Sequence, residues 1–395
     1  MNKSKIIFGL IVFFLVVIGF TAANYLGFFK KDLGPGERRI IHSVQEAENV
    51  PPVEIMIEKV ATNLFVPWSI VFLSDSHILF TERNGSVREI KNGELEDQPL
   101  FVFKEVSTQS EEGLMGMVLD PEFTLNGKIY VCLAYSNENT LFDKVVQMKY
   151  EKNSLEQEKV LIDKIPAAQF HAGCRLGFGP DKMLYITTGD ATDKEIAQDK
   201  ASLGGKILRI SSDGSIPSDN PIKNSPIYSL GHRNPQGIDW DPVSGNLFST
   251  EHGPSVFDGP AGGDEINFIQ KGENYGWPIV SHEKSKDGLV SPLAVFTPAV
   301  APASGMFYKG DMFPQFKNHF LVGLLKGEGI LDVNLSSERM QIASYQKIPD
   351  ITFGRIREIT ESPDGAIYFT TSNRDGRGKI NAGDDMIYKI VPKNE

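Results

Sequence analysis

Cysteine is scarce in this chain, which contains only Cys132 and Cys174 among 395 residues. Two cysteines cannot build a disulfide framework, a cysteine-rich zinc centre or an iron–sulfur cluster. No Cys-x-x-Cys-His run is present, so the chain attaches no c-type haem of its own. A single disulfide is the alternative, but we expect two buried, unpaired thiols.

Positive charge is also in deficit. Lys and Arg number 40 against 51 Asp and Glu, which gives a formal net charge of −11. Proteins that bind nucleic acid through its backbone need a basic surface, so no nucleic-acid partner is expected. In so acidic a chain, a local cluster of Arg and Lys carries more information.

Long apolar runs are rare, and the exception is at the N-terminus. Residues Ile6 to Phe29 carry no charge and are flanked by four lysines, Lys3, Lys5, Lys30 and Lys31. A run of about 20 apolar residues can span a bilayer as a helix, whereas a signal-peptide core has about 7–15. We predict a transmembrane signal-anchor in residues 1–31, with the main body exported. Cleavage near Thr21-Ala22-Ala23 is the alternative and would release a secreted protein.

Residues 32–54 contain Gly-Pro-Gly and Pro-Pro and are predicted to form a linker. From residue 55 to 395 the composition does not break, and one pattern recurs: an apolar pair, a turn with Asp, Asn, Pro or Gly, and a strand ending in small polar residues. The six copies begin at Trp68, Gly116, Leu176, Gly237, Gly305 and Ile359.

Six strand–turn–strand units at spacings of about 50–70 residues predict an all-β fold, a six-bladed β-propeller. A β-sandwich would not repeat so long a unit six times, and a β-helix repeats far more often. We expect the last strand, Met386 to Ile390, to close the ring against Ile55 to Lys59. Loops at one mouth of the channel should then converge.

Two side chains at such strand ends suggest acid–base chemistry. His171 directly precedes the third copy, and Asp190 ends its second strand. A histidine can act as a general base near neutral pH, and a carboxylate can orient it. A solvated or structural histidine is the alternative.

A set of cations lies at corresponding positions: Arg233, Lys326, Arg355 and Arg357. Arg355 and Arg357 alternate along one strand and should therefore share a face. A polycarboxylate ligand would neutralise such a pair. A solvated stripe is the alternative.

Glycine-rich loops follow the fourth copy. Gly253 and Pro254 come after Glu251-His252, and Glu265 and Tyr275 lie in the segments just beyond. Exposed backbone carbonyls beside carboxylates form oxygen-only sites that suit Ca²⁺. A glycine-rich turn with a surface acid is the alternative.

The motifs in this region resemble those of the soluble quinoprotein glucose/sorbosone dehydrogenase family, and in particular its aldose sugar dehydrogenase branch. The specific runs are Leu230 to Gly237, Thr250 to Pro254 and Gly263 to Asn267, in that order. The resemblance covers residues 60–392 and implies the same six-bladed propeller.

The resemblance also implies cofactors and an activity. Such proteins use pyrroloquinoline quinone (PQQ) and Ca²⁺ to oxidise the anomeric hydroxyl of aldoses to lactones. His171 matches the base and Asp190 its orienting partner. Arg233 and Asn234 match the pair that contacts the quinone, and Arg233 would also stabilise the developing oxyanion.

Other positions match the family's ligand contacts. Lys326, Arg355 and Arg357 match residues that pair with the carboxylates of PQQ, and Glu111 stands where relatives have Gln or an acid near the cofactor. The carbonyls of Gly253 and Pro254 match the ligands of the calcium that touches PQQ. Glu265 and Tyr275 match a second, structural calcium site.

The sequence departs from the family at two places. The loop Ser255 to Ala261 is longer than the usual link, and Cys174 stands where a small residue is usual. With no haem motif, electrons must pass to a separate acceptor, and the anchor favours a membrane quinone or a cytochrome. An inactive propeller used as an extracellular binding module is the alternative function. A calcium-dependent lactonase is disfavoured because it would not need four clustered cations.

Overall fold

The computed structural model describes residues 54–393. These residues form six four-stranded antiparallel sheets, one of them with an additional short strand. The predicted six-bladed propeller is therefore confirmed. The predicted signal-anchor (1–31) lies outside the described residues, as does nearly all of the predicted linker (32–54). No helix between residues 54 and 393 is long and apolar enough to cross a bilayer.

The first three blades follow one another along the chain. Blade 1 contains β2 (Pro67–Ser74), β3 (His77–Glu82), β4 (Ser86–Lys91) and β5 (Glu94–Leu95), with β6 (Phe101–Val102) also paired to β4. Blade 2 contains β7 (Leu114–Leu119), β8 (Lys128–Asn137), β9 (Thr140–Glu151) and β10 (Ser154–Pro166). Blade 3 contains β11 (Leu176–Phe178), β12 (Leu184–Thr188), β13 (Lys206–Ile210) and β14 (Ile227–Leu230).

The remaining blades complete the ring. Blade 4 contains β15 (Pro235–Trp240), β16 (Leu247–Glu251), β17 (Asp264–Ile269) and β18 (Ala294–Phe296). Blade 5 contains β19 (Pro302–Phe307), β20 (Phe320–Leu324), β21 (Gly329–Leu335) and β22 (Ile342–Lys347). Blade 6 contains β23 (Ile356–Glu361), β24 (Ile367–Thr371), β25 (Ile387–Pro392) and β1 (Ile55–Ala61). Short helical turns occur at Phe123–Asn126, Lys194–Ala197 and Pro314–Phe316.

The ring closes as the sequence predicts. Strand β1 pairs with β25 antiparallel, with Ile57 opposite Ile390 and Lys59 opposite Tyr388. The first and last strands thus share blade 6, and their pairing closes the ring.

A recurring aspartate explains the turn between the first two strands of four blades. In each, an Asp carboxylate accepts the backbone N–H two residues further on, which is an Asx turn. The acceptors are Asp120, Asp181, Asp241 and Asp364, at oxygen–nitrogen distances of 2.9, 3.1, 3.3 and 3.4 Å. The apolar strand that follows this turn is largely or fully buried, as in β12 and β24.

The first strands of all six blades surround a central channel. Residues from β2, β7, β11, β15, β19 and β23 together line a cavity of about 580 Å³ in it. Because neighbouring strands in a blade are antiparallel, the start of each first strand and the end of each second strand meet at the same mouth. This arrangement positions the candidate site.

The expectation of unpaired thiols was wrong, because Cys132 and Cys174 form a disulfide. Cys132 lies in β8 of blade 2, Cys174 directly precedes β11 of blade 3, and their Cα atoms are 6.2 Å apart. That separation suits a disulfide, and it arises from the packing of two blades. The sequence separation of 42 residues does not reveal it.

Candidate active site

A cavity of about 300 Å³ lies at the mouth of the channel where strand ends converge. Its lining comes from segments that precede a first strand or follow a second strand, as the propeller geometry requires. Four residues singled out in the sequence line it: Glu111, Lys326, Arg355 and Arg357. Its size is at the lower end of the range typical of small-molecule sites.

One side of the cavity, the cationic wall, consists of Arg83, Lys326, Arg355 and Arg357. Three of them, Arg83, Lys326 and Arg357, have no acidic partner within 4.0 Å in the described part of the chain. The buried donors Nε and Nη1 of Arg83 and Nε of Arg357 have no hydrogen-bond partner there either. Burial, reinforced by Arg355 and Arg83, lowers the pKa of Arg357 to about 10.

The charge of the cationic wall is partly balanced by one acid. Asp375 Oδ2 lies 2.7 Å from Nη2 of Arg355 and accepts a hydrogen bond from its Nε at 2.8 Å. Burial raises the pKa of Asp375, but Arg355 and then Arg357 outweigh it, so the pKa lies below its ordinary value. Asp375 is therefore ionised, and positive charge remains in excess.

Glu111 lies at the rim of the cavity. Its carboxylate forms a 2.8 Å ion pair with Arg377 and accepts a hydrogen bond from the backbone N–H of His171 at 3.2 Å. Glu111 thus connects the cavity to the segment that carries His171.

A second group, the His171 wall, consists of His171, Asp190, Arg233 and Trp277. These side chains lie beside the cavity and not in its lining, which Ala172 and Gly173 reach directly after His171. His171 Nδ1 lies 2.7 Å from Asp190 Oδ1. His171 has a φ of 57°, in the left-handed region that non-glycine residues rarely adopt. A Cβ at Gly189 would come within 1.7 Å of the His171 carbonyl oxygen, so only glycine permits this approach. Strained backbone of this kind is typical of functional sites.

Arg233 determines which nitrogen of His171 carries the proton. Its Nη2 lies 2.9 Å from His171 Nε2. A guanidinium can only donate, so Nε2 must accept and, in the neutral ring, the proton is on Nδ1, facing Asp190. The second oxygen of Asp190 accepts from the indole Nε1 of Trp277 at 2.8 Å. This is the tautomer that a general base at Nε2 requires.

The remaining donors of Arg233 are also satisfied. Nε donates to Asp258 at 2.8 Å, and Nη1 donates to the carbonyl of His252 at 3.2 Å. The guanidinium lies 5.6 Å from the centre of the Trp277 ring. Every part of the His171 wall is thus held by a neighbour.

Asn234 is buried beside the cavity. Its Oδ1 accepts from Gln236 Nε2 at 3.0 Å and from the N–H of Gly173 at 3.3 Å. Its Nδ2 is buried without a hydrogen-bond partner in the described chain. One donor is thus free for a ligand.

The four predicted calcium ligands line one small cavity of about 10 Å³, where the sequence had suggested two sites. They are Gly253, Pro254, Glu265 and Tyr275, joined there by Glu251 and Arg233. Glu265 is opposite Glu251 across two paired strands. Burial, and next the charge of Glu251, raises the pKa of Glu265. Between residues 54 and 393, no group of three His, Cys, Asp or Glu side chains is placed to hold a metal.

Several lining residues were missed in the sequence. They are Trp68, Arg83, Gln236, His252, Asp375 and Arg377. Arg83 and His252 each directly follow the second strand of a repeat, so the rule that singled out Asp190 could have found them. The others depend on how the blades are arranged around the channel.

His252 differs from His171. Its Nε2 is buried without a partner in the described chain, and burial first, then Arg357 and Arg233, lowers its pKa well below the ordinary value. His252 is therefore neutral near pH 7.

Comparison with known proteins agrees with this geometry. The sequence model described as glucose/sorbosone dehydrogenase matches residues 64–382. The chain belongs to the glucose/sorbosone dehydrogenase family. The described propeller and the candidate site lie almost entirely within the matched region.

Two curated relatives in this family carry names that refer to sugar oxidation. The chain is 32% identical over 369 residues to the aldose sugar dehydrogenase YliI of Escherichia coli K12, covering 87% of this chain and 94% of that protein. It is 32% identical over 262 residues to quinoprotein glucose dehydrogenase B of Acinetobacter calcoaceticus, covering 58% and 53%.

A solved structure in the same family contains the quinone. The PQQ-bound aldose sugar dehydrogenase of Streptomyces coelicolor is 31% identical and superimposes with a TM-score of 0.75, covering 87% of this chain and 99% of that one. The similarity therefore extends over almost the whole of that protein.

Proposed function

We propose that this protein oxidises the anomeric hydroxyl of aldose sugars to lactones, with PQQ as cofactor and Ca²⁺ beside it. The observation that carries the proposal is a cavity lined by unpartnered cationic donors, with an oriented His–Asp pair beside it. Family membership and the PQQ-bound relative support it.

The cationic wall fits PQQ, which carries three carboxylates. In the cationic wall, Arg83, Lys326 and Arg357 have no acidic partner within 4.0 Å among residues 54–393, and Arg355 is paired with Asp375. An anion would supply acceptors for buried donors, and a buried donor without an acceptor costs about 1–3 kcal/mol. Arg83, Lys326, Arg355 and Arg357 would therefore hold the carboxylates, and Asn234 Nδ2 is a further free donor.

The donor set around the small cavity fits a hard cation. The carbonyl oxygens of Gly253 and Pro254 and the carboxylates of Glu251 and Glu265 are oxygen ligands, which Ca²⁺ prefers. The two carboxylates oppose each other in a buried place, and a cation would offset their repulsion. We propose Gly253 and Pro254 as ligands of a calcium beside the quinone, and Glu265 and Tyr275 as ligands of a structural calcium.

His171 would accept the proton of the sugar's C1 hydroxyl at Nε2. For this the hydroxyl takes the position at Nε2 that Arg233 Nη2 occupies in this structure. Asp190 then stabilises the imidazolium through Nδ1 and keeps the ring in its orientation. PQQ, when bound, supplies the two-electron acceptor for the hydride that leaves C1.

Arg233 would be the electrophilic partner in this reaction. Once displaced from His171 Nε2, its Nη2 is free to donate to the oxygen on which negative charge develops. Its Nε contact with Asp258 can persist while the guanidinium shifts, so Arg233 stays in the site.

We also propose that the propeller acts outside the cytoplasm, anchored by residues 1–31, and passes its electrons to a separate quinone or cytochrome. The apolar run flanked by lysines supports the anchor. The Cys132–Cys174 disulfide supports export, because disulfides persist mainly in oxidising compartments.

Dye reduction with a panel of aldoses tests the function. The purified full-length protein should reduce the dye only after PQQ and Ca²⁺ are added, and should retain quinone absorbance after gel filtration. An Asp190→Asn variant serves as a control, because it should keep the absorbance and lose most turnover. Absence of both activity and retained quinone would refute the proposal and favour a binding module.

A further inference from the structure

The loop between Pro254 and Gly262 places a carboxylate against Arg233. Asp258 Oδ2 accepts from Arg233 Nε at 2.8 Å. Its other oxygen, Oδ1, accepts from the N–H of Ser255 at 2.7 Å and from the Ser255 hydroxyl at 3.1 Å. Asp258 Oδ1 thus stabilises the loop, and Asp258 Oδ2 binds Arg233.

The rest of the loop contributes little packing that could hold it. At its tip, the side chains of Val256 and Phe257 are 76% and 96% exposed. The backbone bond from Gly262 N–H to the Pro254 carbonyl, 3.1 Å long, closes its base. The position of the loop therefore depends on the polar contacts of Asp258.

Among the contacts that the Arg233 guanidinium makes with residues 54–393, the Asp258 contact is the anionic one. The others are the neutral carbonyl of His252, the His171 ring nitrogen and the Trp277 ring. Charge-assisted hydrogen bonds are about twice as strong as neutral ones. Arg233 is 4% exposed and Asp258 is partly buried, so water screens the pair only weakly.

We propose that Asp258 is a positioning residue for sugar oxidation, which holds the Arg233 guanidinium so that Nη2 faces His171 Nε2. This inference rests on the proposed function, because it names the group that aligns the electrophile and the base. Without Asp258, Arg233 would keep its charge but lose the contact that fixes its Nε edge. Misplacement of a reacting group by about 1 Å can cost about 100-fold in rate.

Asp258→Asn is the sharpest test. Its Oδ1 can still accept from Ser255, while the new amide would present N–H groups to the Nε–H of Arg233. We expect kcat to fall about 10- to 100-fold, with the sugar KM within about threefold of the parent value because binding contacts are unchanged. Asp258→Glu, which restores the charge, should recover part of kcat.

Ser255→Ala is the matched control, because it removes one loop contact and leaves Asp258 Oδ2 on Arg233. It should keep kcat near the parent value. An equal loss of kcat in Ser255→Ala and Asp258→Asn, or no loss in Asp258→Asn, would overturn the proposal.

A second measurement needs neither PQQ nor turnover. In protein labelled with ¹⁵N-histidine, long-range ¹H–¹⁵N spectra should show His171 as the Nδ1–H tautomer, assigned by its disappearance in His171→Gln. Asp258→Asn should shift the Nε2 resonance, because the donor from Arg233 is lost. An unchanged resonance would overturn the proposal. Failure of the parent protein to oxidise any aldose would instead refute the proposed function, and the spectra would still decide whether Asp258 positions Arg233.

Discussion

The cationic wall of the cavity and the His171 wall beside it differ in how their polar groups are satisfied. In the cationic wall, Arg83 and Arg357 bury donors that have no partner in the described chain. In the His171 wall, the side chains of His171, Asp190 and Arg233 all have hydrogen-bond partners. One wall is incomplete without an anion, and the other is already organised.

This difference separates binding from reactivity. Buried, unpartnered cations cost stability in the free protein, and an anionic cofactor would recover that cost on binding. The His171 wall holds its groups in place before substrate arrives, which is what acid–base chemistry needs. Variants in the two walls should therefore give opposite patterns of affinity, turnover and stability.

Replacing the base should give the largest effect. His171→Ala should lower kcat about 10²–10⁴-fold, because it removes the base that Asp190 orients. PQQ affinity should change little, since the carboxylate contacts lie on the other wall. Steady-state dye reduction and a PQQ titration measure the two quantities. A large loss of PQQ affinity would show that the walls are not separable.

Removing the disulfide should disturb the His171 wall, because the disulfide holds the segment that carries His171. Cys174 lies three residues after His171 and is bonded to Cys132 in blade 2. Cys174→Ser should lower the free energy of unfolding by about 2–4 kcal/mol and reduce kcat more than PQQ affinity. Denaturant unfolding measures the first effect. A fall in the free energy of unfolding of this size with an unchanged kcat would show that the disulfide has only a structural role.

Neutralising the cationic wall should lower affinity while raising stability. Arg83→Met removes a buried cation without an ion-pair partner in the described chain, so the free protein should gain about 1 kcal/mol. PQQ affinity should fall about 10- to 100-fold, the value of one hydrogen bond to a charged group. Calorimetric titration and thermal unfolding give the two numbers.

Lys326→Met is the matched control for Arg83→Met. Lys326 lines the same cavity but is exposed. Its replacement should weaken PQQ binding with no gain in stability. A stability gain of the same size in both variants would contradict the role assigned to burial.

The smallest effect concerns acid sensitivity of the cationic wall. Arg355 and Arg357 hold the pKa of Asp375 in the folded protein below 3.8 despite its burial. As the pH falls, Asp375 is therefore protonated in the unfolded chain at a higher pH than in the folded protein. The stabilisation is therefore present above pH 3.8 and is lost as the pH falls through the lower, folded value. Between pH 5 and pH 3, the free energy of unfolding of Asp375→Asn should fall by less than that of the parent, when each is expressed relative to its own value at pH 7. Urea unfolding measures these values, and parallel curves of the free energy of unfolding against pH for the two proteins would disprove this.

Much of the scaffold was predictable because it repeats. Asp-containing turns and apolar strands indicated six blades, and the pairing of β1 with β25 was predicted correctly. The proximity of His171 to Asp190 followed from strand direction within one blade. The disulfide was predicted wrongly, since Cys132 and Cys174 meet only where two blades pack.

Residues in the loops after second and third strands were harder to find. Asp258, Trp277 and Asp375 carry no motif that relates them to His171 or to Arg355. Their roles depend on how these loops fold back on the strand ends, which local patterns do not encode. The clustering of predicted calcium ligands around one cavity is another feature of this kind.

The sequence by itself determined the ring of six blades, because alternating strands and Asx turns are local and repeat along the chain. It also determined which strand ends meet at the channel mouth. Only the tertiary structure decided that donors of Arg83 and Arg357 are buried without partners in the described chain, whereas each nitrogen of the Arg233 guanidinium has a partner. Burial and pairing of a charge depend on neighbours that are distant in sequence, and those neighbours are set by packing around the channel.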